Sequence, residues 1–189
     1  RKMGDKDGIA IKGLPSPALI SNASFSPDSK KIAFLHNNAD NIELWLVDVA
    51  TQSAKKISER KVNAVLGNSF AWTSDSQHII FSAVPNNLSK LHEASRVPIG
   101  PIIEENLGRK APSRTFQDLL KNPHDEQVFE HYATSELVKL SINGGEAVIS
   151  KADLHSSFST SPDGKFLLTR TIHRPFSYLV PAFRFPTLV

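Results

Sequence analysis

Over the first 85 residues apolar and polar positions alternate with a period near two and are broken by short polar clusters, the pattern of strands joined by tight turns. One unit recurs. Phe25-Ser26-Pro27-Asp28-Ser29-Lys30-Lys31-Ile32-Ala33-Phe34 returns as Ala71-Trp72-Thr73-Ser74-Asp75-Ser76-Gln77-His78-Ile79-Ile80-Phe81, and again as Ser159-Thr160-Ser161-Pro162-Asp163-Gly164-Lys165-Phe166-Leu167-Leu168. Each copy runs strand, polar turn, apolar strand. In Ser-Pro-Asp-Ser and Ser-Pro-Asp-Gly the proline pre-sets φ at the second turn position and a small residue suits the fourth, so each copy predicts a hairpin.

After the first hairpin, Ile42-Glu43-Leu44-Trp45-Leu46-Val47-Asp48 predicts a third strand. Residues 49–53 form a polar turn, and Ala54-Lys55-Lys56-Ile57 supplies a short edge strand whose lysines oppose edge-to-edge pairing. Four antiparallel strands in succession describe a propeller blade, so the expected fold class is all-β, a partial β-propeller. The spacing agrees: Asp28 and Asp75 are 47 residues apart, within the ~40–50 of four-stranded blade repeats. Asp75 and Asp163 are 88 apart, nearly twice that, so either one blade has lost its signature or one carries an insertion.

The insertion is favoured. Glu136-Leu137-Val138-Lys139-Leu140-Ser141-Ile142, the turn Asn143-Gly144-Gly145, then Glu146-Ala147-Val148-Ile149 read as the missing third and fourth strands of a split blade. The expected organisation is a blade near 22–58, a second near 68–150 interrupted at 85–135, and an incomplete blade over 156–189. Pro98, Gly100, Pro101, Gly108 and Pro112 mark the first part of the insertion as extended loop. Ser113 or Thr115 is then expected to cap a short helix carrying Phe116, Leu119 and Leu120, interrupted by Asn122-Pro123. A second helix should follow, with Asp125-Glu126 in its first turn and Val128, Phe129 and Tyr132 on one face. The pair is expected to pack on the propeller rim.

Composition narrows the function classes. The 189 residues are 40% hydrophobic and 22% charged, within the globular range, and the net charge of +3 is too thin and too scattered to expect nucleic acid as a partner. Cysteine is absent, which removes disulfide scaffolds, thiol nucleophiles and thiolate zinc sites. No run approaches the roughly 20 apolar residues of a membrane span, so the chain reads as soluble, or as a mature or excised piece.

No catalytic residue, metal ligand or cofactor site is assigned. Gly-x-Ser-x-Gly, which exposes a hydrolase nucleophile beside oxyanion amides, does not occur. His92-Glu93 lacks the second histidine of His-Glu-x-x-His, and His124 with His131 is not an i, i+4 pair. No glycine-rich phosphate loop exists. Asp28, Asp75 and Asp163 read as turn residues accepting local amides, rather than as calcium ligands or catalytic carboxylates. Phe34, Trp45, Trp72, Phe81 and Phe158 sit within strands and are expected to pack between adjacent blades.

The Ser-Pro-Asp-Ser/Gly hairpins resemble the propeller repeats of the prolyl oligopeptidase family of serine peptidases and of periplasmic TolB-like proteins. Two longer stretches, KAPSRTFQDLLKNPHDE over 110–126 and RPFSYLVPAFRFP over 174–186, resemble the glutamyl-endopeptidase-like branch of that family, common in Bacteroidetes and also found in plastids. The resemblance implies an N-terminal propeller gating the entry of peptide substrates to a later α/β-hydrolase domain with a Ser-Asp-His triad, in the periplasm or cell exterior of a bacterium. This chain would then be a fragment without catalytic residues. A peptidase preferring acidic side chains needs cations near its pocket, which makes Arg174 and Arg184 the substrate-binding candidates; the alternative places both on the solvated surface or in pairs with nearby acids. The rival function is a TolB-like binding propeller with no hydrolase, and oligomeric state is not readable from sequence.

Overall fold

The structure, a computed structural model, describes residues 7–88, 90, 91 and 116–189. The first repeat folds as β1 (Ile20–Phe25), β2 (Lys31–Asn37), β3 (Ile42–Asp48) and β4 (Ser53–Lys56), each antiparallel to the one before it in a single four-stranded sheet. The hairpin turn explains the repeated residues. The Ser29 amide donates to the Ser26 carbonyl at 2.8 Å, the Ser26 amide donates to the Lys31 carbonyl at 2.9 Å, and Ser29 sits at φ 60°. This is a type I turn closed by a left-handed residue, a connection whose twist suits a hairpin. Ser76 (φ 58°) and Gly164 (φ 70°) hold the same place in the other copies.

The edge strand β4 is not left bare, as its lysines alone implied. Lys12 forms a parallel bridge to Ser53, its amide donating to the Gln52 carbonyl and its carbonyl accepting the Ala54 amide, both at 2.8 Å. Backbone pairing therefore caps that edge beside the lysine charge.

The second sheet joins β5 (Phe70–Trp72), β6 (His78–Ala83), β7 (Glu136–Ser141) and β8 (Glu146–Val148) in that order. Its central pair runs from His78 opposite Ser141 to Ala83 opposite Glu136, so the blade is split between β6 and β7 as its sequence spacing implied. Gly144 (φ 106°) and Gly145 (φ 93°) turn the chain into β8 in a conformation that side chains disfavour.

The insertion carries one helix among the described residues, α1 (Pro123–Ala133). Asn122-Pro123, expected to interrupt a preceding helix, opens this one: Asn122 Oδ1 accepts the Asp125 amide at 2.9 Å, and Pro123, which has no amide to satisfy, begins the first turn. The helix expected across Phe116, Leu119 and Leu120 does not form. Asp118 lies at φ 58°, outside helical space, and one turn is too short to nucleate. Its proposed caps, Ser113 and Thr115, lie outside the described residues. The inward face of α1 is Phe129 and Ala133, one turn apart, while Tyr132 is exposed.

The third repeat gives β9 (His155–Thr160) and β10 (Leu167–Ile172). Proline-rich residues 173–186 then leave the sheet, form a short 3₁₀ turn at Ala182–Arg184, and return as β11 (Thr187–Leu188) beside β10. Among the described residues this sheet has three strands.

The sheets stack face to face. Ala33, Leu35, Leu44 and Leu46 of the first meet Ile79, Phe81, Val138 and Leu140 of the second in one buried cluster. The opposite face of the second sheet, Ile80 and Leu137, meets Phe158 of the third. Ile32, Ile79 and Leu167 stand at the same step after the turn aspartate, as do Ala33, Ile80 and Leu168, so alternation turns each set to the same side. These repeated blades make the fold all-β and propeller-type. Of the five aromatics, Phe81 and Phe158 fill the joints and Trp72 packs against the first of them. Phe34 and Trp45 stack on each other at 6.2 Å, across the first sheet from Ala33 and Leu35, where no described sheet covers them.

Candidate functional site

Chemistry-bearing side chains gather where residues 173–186 cross α1. Glu126 and Glu130, one helical turn apart, face Arg174. Arg174 donates to Glu130 through two parallel bonds, Nε to Oε1 at 2.8 Å and Nη2 to Oε2 at 2.9 Å, and its Nη1 donates to Glu126 Oε2. The Tyr178 hydroxyl donates to the other oxygen of Glu126 at 2.7 Å. Beneath this layer Phe129 stands edge-on to Phe176 (5.3 Å) and Phe185 (5.7 Å), and the Arg174 guanidinium lies 4.8 Å from the Phe176 centroid.

Electrostatics follow from these contacts. The Tyr178 hydroxyl and then Arg174 hold Glu126 below the usual carboxylate range. Glu130 first and Glu126 second push the Arg174 guanidinium up, and the bond to Glu126 holds the Tyr178 phenol above its ordinary value. The cluster keeps its charges and partners its own cation.

The two candidate arginines therefore sit differently. Arg174 is committed to two carboxylates of this chain. Arg184 is exposed, its guanidinium 5.3 Å from the Phe116 centroid and 5.9 Å from that of Phe183, and it makes no ion pair among the described residues.

The turn aspartates are structural. Asp28, Asp75 and Asp163 each accept the hydroxyl two residues earlier (Ser26, Thr73, Ser161; 2.5–2.6 Å) and the amide two residues later (2.8–3.1 Å). Those hydroxyl bonds are the leading reason all three carboxyls lie low, Asp75 at about 2.

One Ser–His contact that no sequence motif announces is present: Ser150 Oγ lies 3.1 Å from His155 Nε2. It does not make a nucleophile. Ser150 Oγ accepts the Leu137 amide at 2.8 Å, and both it and Nε2 lie close to the Lys151 carbonyl. Among the described residues the buried His155 Nδ1 has no hydrogen-bond partner, so no carboxylate there orients the ring as a triad requires. Among the described residues no three His, Asp or Glu are placed to hold a metal ion, and no helix is long and apolar enough to cross a membrane.

No protein-family model matches the chain. It is 34% identical to a probable chloroplastic glutamyl endopeptidase of Oryza sativa subsp. japonica and 32% identical to its namesake in Arabidopsis thaliana, each over 95% of this chain. The chain spans about a fifth of the length of these relatives (20% and 19%). Among solved structures it is similar to a prolyl endopeptidase (17% identity, TM-score 0.49, covering 80% of this chain and 18% of that one). It is also similar to the Pyrococcus horikoshii acylaminoacyl peptidase (19%, 0.48, 83% and 21%) and to TolB from Acinetobacter baumannii (16%, 0.45, 81% and 26%).

Proposed function

We infer that this chain is a propeller segment of a glutamyl-endopeptidase-like serine peptidase of the prolyl oligopeptidase family, and that it gates peptide substrates rather than cleaving them. The observation that carries this reading is identity of about one third to two glutamyl endopeptidases across 95% of the chain. The stacked antiparallel sheets fit a propeller segment.

In this proposal the bond-breaking machinery belongs to another part of the parent polypeptide. There a serine would attack the scissile carbonyl, a histidine would carry the proton to the leaving amine, and amides would hold the oxyanion. A rigid wall of blades would admit short or unfolded peptides and turn away folded proteins by size. Of the two candidate arginines, Arg184 is the one we put forward toward an acidic substrate side chain, because Arg174 already has its carboxylates.

The test compares this chain with the full product of its gene on peptides with glutamate before the scissile bond, together with a serine-directed phosphonate. Cleavage and labelling confined to the longer protein support the gating segment. If neither protein cleaves or labels, the peptidase reading fails and a TolB-like binding propeller replaces it.

A further inference from the structure

The two joints between sheets are built unequally. Between the first and second sheets a broad apolar cluster is supplemented by a bond from the Asp28 amide to Ser76 Oγ at 3.1 Å. Between the second and third, the described residues form a smaller cluster, Ile80, Leu137 and Phe158 buried with Ala71 and Leu167 half-buried beside them. The residue matching Ser76 there is Gly164, which has no hydroxyl to reach across.

What holds the third sheet lies outside the stacked faces. Phe129 and Ala133 of α1, which the second sheet's insertion supplies, pack with Leu154, Ile172, Phe176 and Phe185 of the third repeat. Ser135, just before β7, exchanges two backbone bonds with Asp153, just before β9, at 2.9 and 3.0 Å. The Arg174 pairs with Glu126 and Glu130 close this cluster on its solvent side.

We propose that α1 and residues 173–186 form a clasp that fastens the third sheet to the second, and that the Arg174–Glu130–Glu126 ion pairs are its lock. The first joint has the broad apolar cluster, the Asp28–Ser76 bond and the ion pair Arg60–Glu136, whose arginine is far less exposed than Arg174 and which salt therefore screens less. The second joint depends in addition on half-exposed charges, whose attraction shrinks when the Debye length falls from about 10 Å at 0.1 M salt to about 3 Å at 1 M. The second and third sheets thus share a joint that loosens as a unit in response to ionic strength while the first holds.

Hydrogen exchange on the intact chain tests this. Arg174→Gln should raise exchange roughly fivefold, the scale of an exposed charge network, in Pro123–Ala133, His155–Thr160 and Leu167–Ile172, and leave Lys31–Asn37 and Ile42–Asp48 unchanged. Adding Glu130→Gln to that variant should raise it little further. The unmutated chain moved from 0.1 to 1 M sodium chloride should show the same regional pattern, so the test does not depend on a variant folding. Uniform acceleration across all three sheets, or none in the third, would overturn the clasp.

Discussion

The Asp28 amide donates to Ser76 Oγ across 48 residues, tying the turn of one repeat to the turn of the next. The hydroxyl can reach because Ser76 is held at φ 58°, the left-handed place that closes its own hairpin. Ser76→Ala should therefore destabilise the chain by about 1 kcal/mol, the usual net worth of a hydrogen bond, read as a lower urea midpoint with unchanged slope. An unchanged midpoint would mean that water replaces the bond at no cost.

Gly67 and Gly144 separate conformation from space. A Cβ on Gly67 (φ 51°) would lie 1.8 Å from the Ser156 carbonyl oxygen, backbone that cannot step aside, whereas a Cβ on Gly144 (φ 106°) meets nothing within 4 Å. Gly67→Ala should cost about 3 kcal/mol or more and Gly144→Ala about 1–3 kcal/mol from backbone strain alone. Denaturant titrations that rank the two the other way would contradict the close approach of residue 67 to β9.

Acid should weaken the fold in a defined window. Thr73 is the first cause holding Asp75 at about 2, and the Thr51 amide the first cause holding Asp48 there, both below the ordinary 3.8. Carboxyls depressed on folding contribute stability above their unfolded value and lose it as pH falls toward the folded one, here from about 4 to about 2. Both groups are partly exposed, so the slope should be modest. The double variant Asp48→Asn, Asp75→Asn should flatten stability against pH in that interval; an identical curve would show that the two carboxyls contribute nothing.

Ser150 should prove structural. In the full gene product, Ser150→Ala should leave phosphonate labelling intact while costing about 1–3 kcal/mol, because the buried Leu137 amide loses its acceptor. Loss of labelling without loss of fold would make Ser150 a nucleophile after all.

The hairpins were legible because their chemistry is local: a serine or threonine, an aspartate and a small left-handed residue complete the turn within six positions. The split of the second blade was legible from spacing. What escaped involves partners far apart in sequence. The bridge from Lys12 to Ser53 leaves no periodic trace, and Asn122-Pro123 reads equally as a helix breaker or a helix start until the capping bond is seen. Nearby acids were an open alternative for Arg174, yet which acids was not apparent. Glu126 and Glu130 one turn apart on a short helix were the available sign that a cation should lie over that face.

The split between β6 and β7 also bears on the order of folding. The first sheet's central strands are joined by four residues, the second's by 52. Loop closure over the longer span costs roughly 2 kcal/mol more entropy, so β5–β6 and β7–β8 should form early as separate hairpins and meet late. Each further doubling of the connection would add only about 0.6 kcal/mol, which makes this the place where the chain can gain or lose sequence most freely without unmaking a sheet.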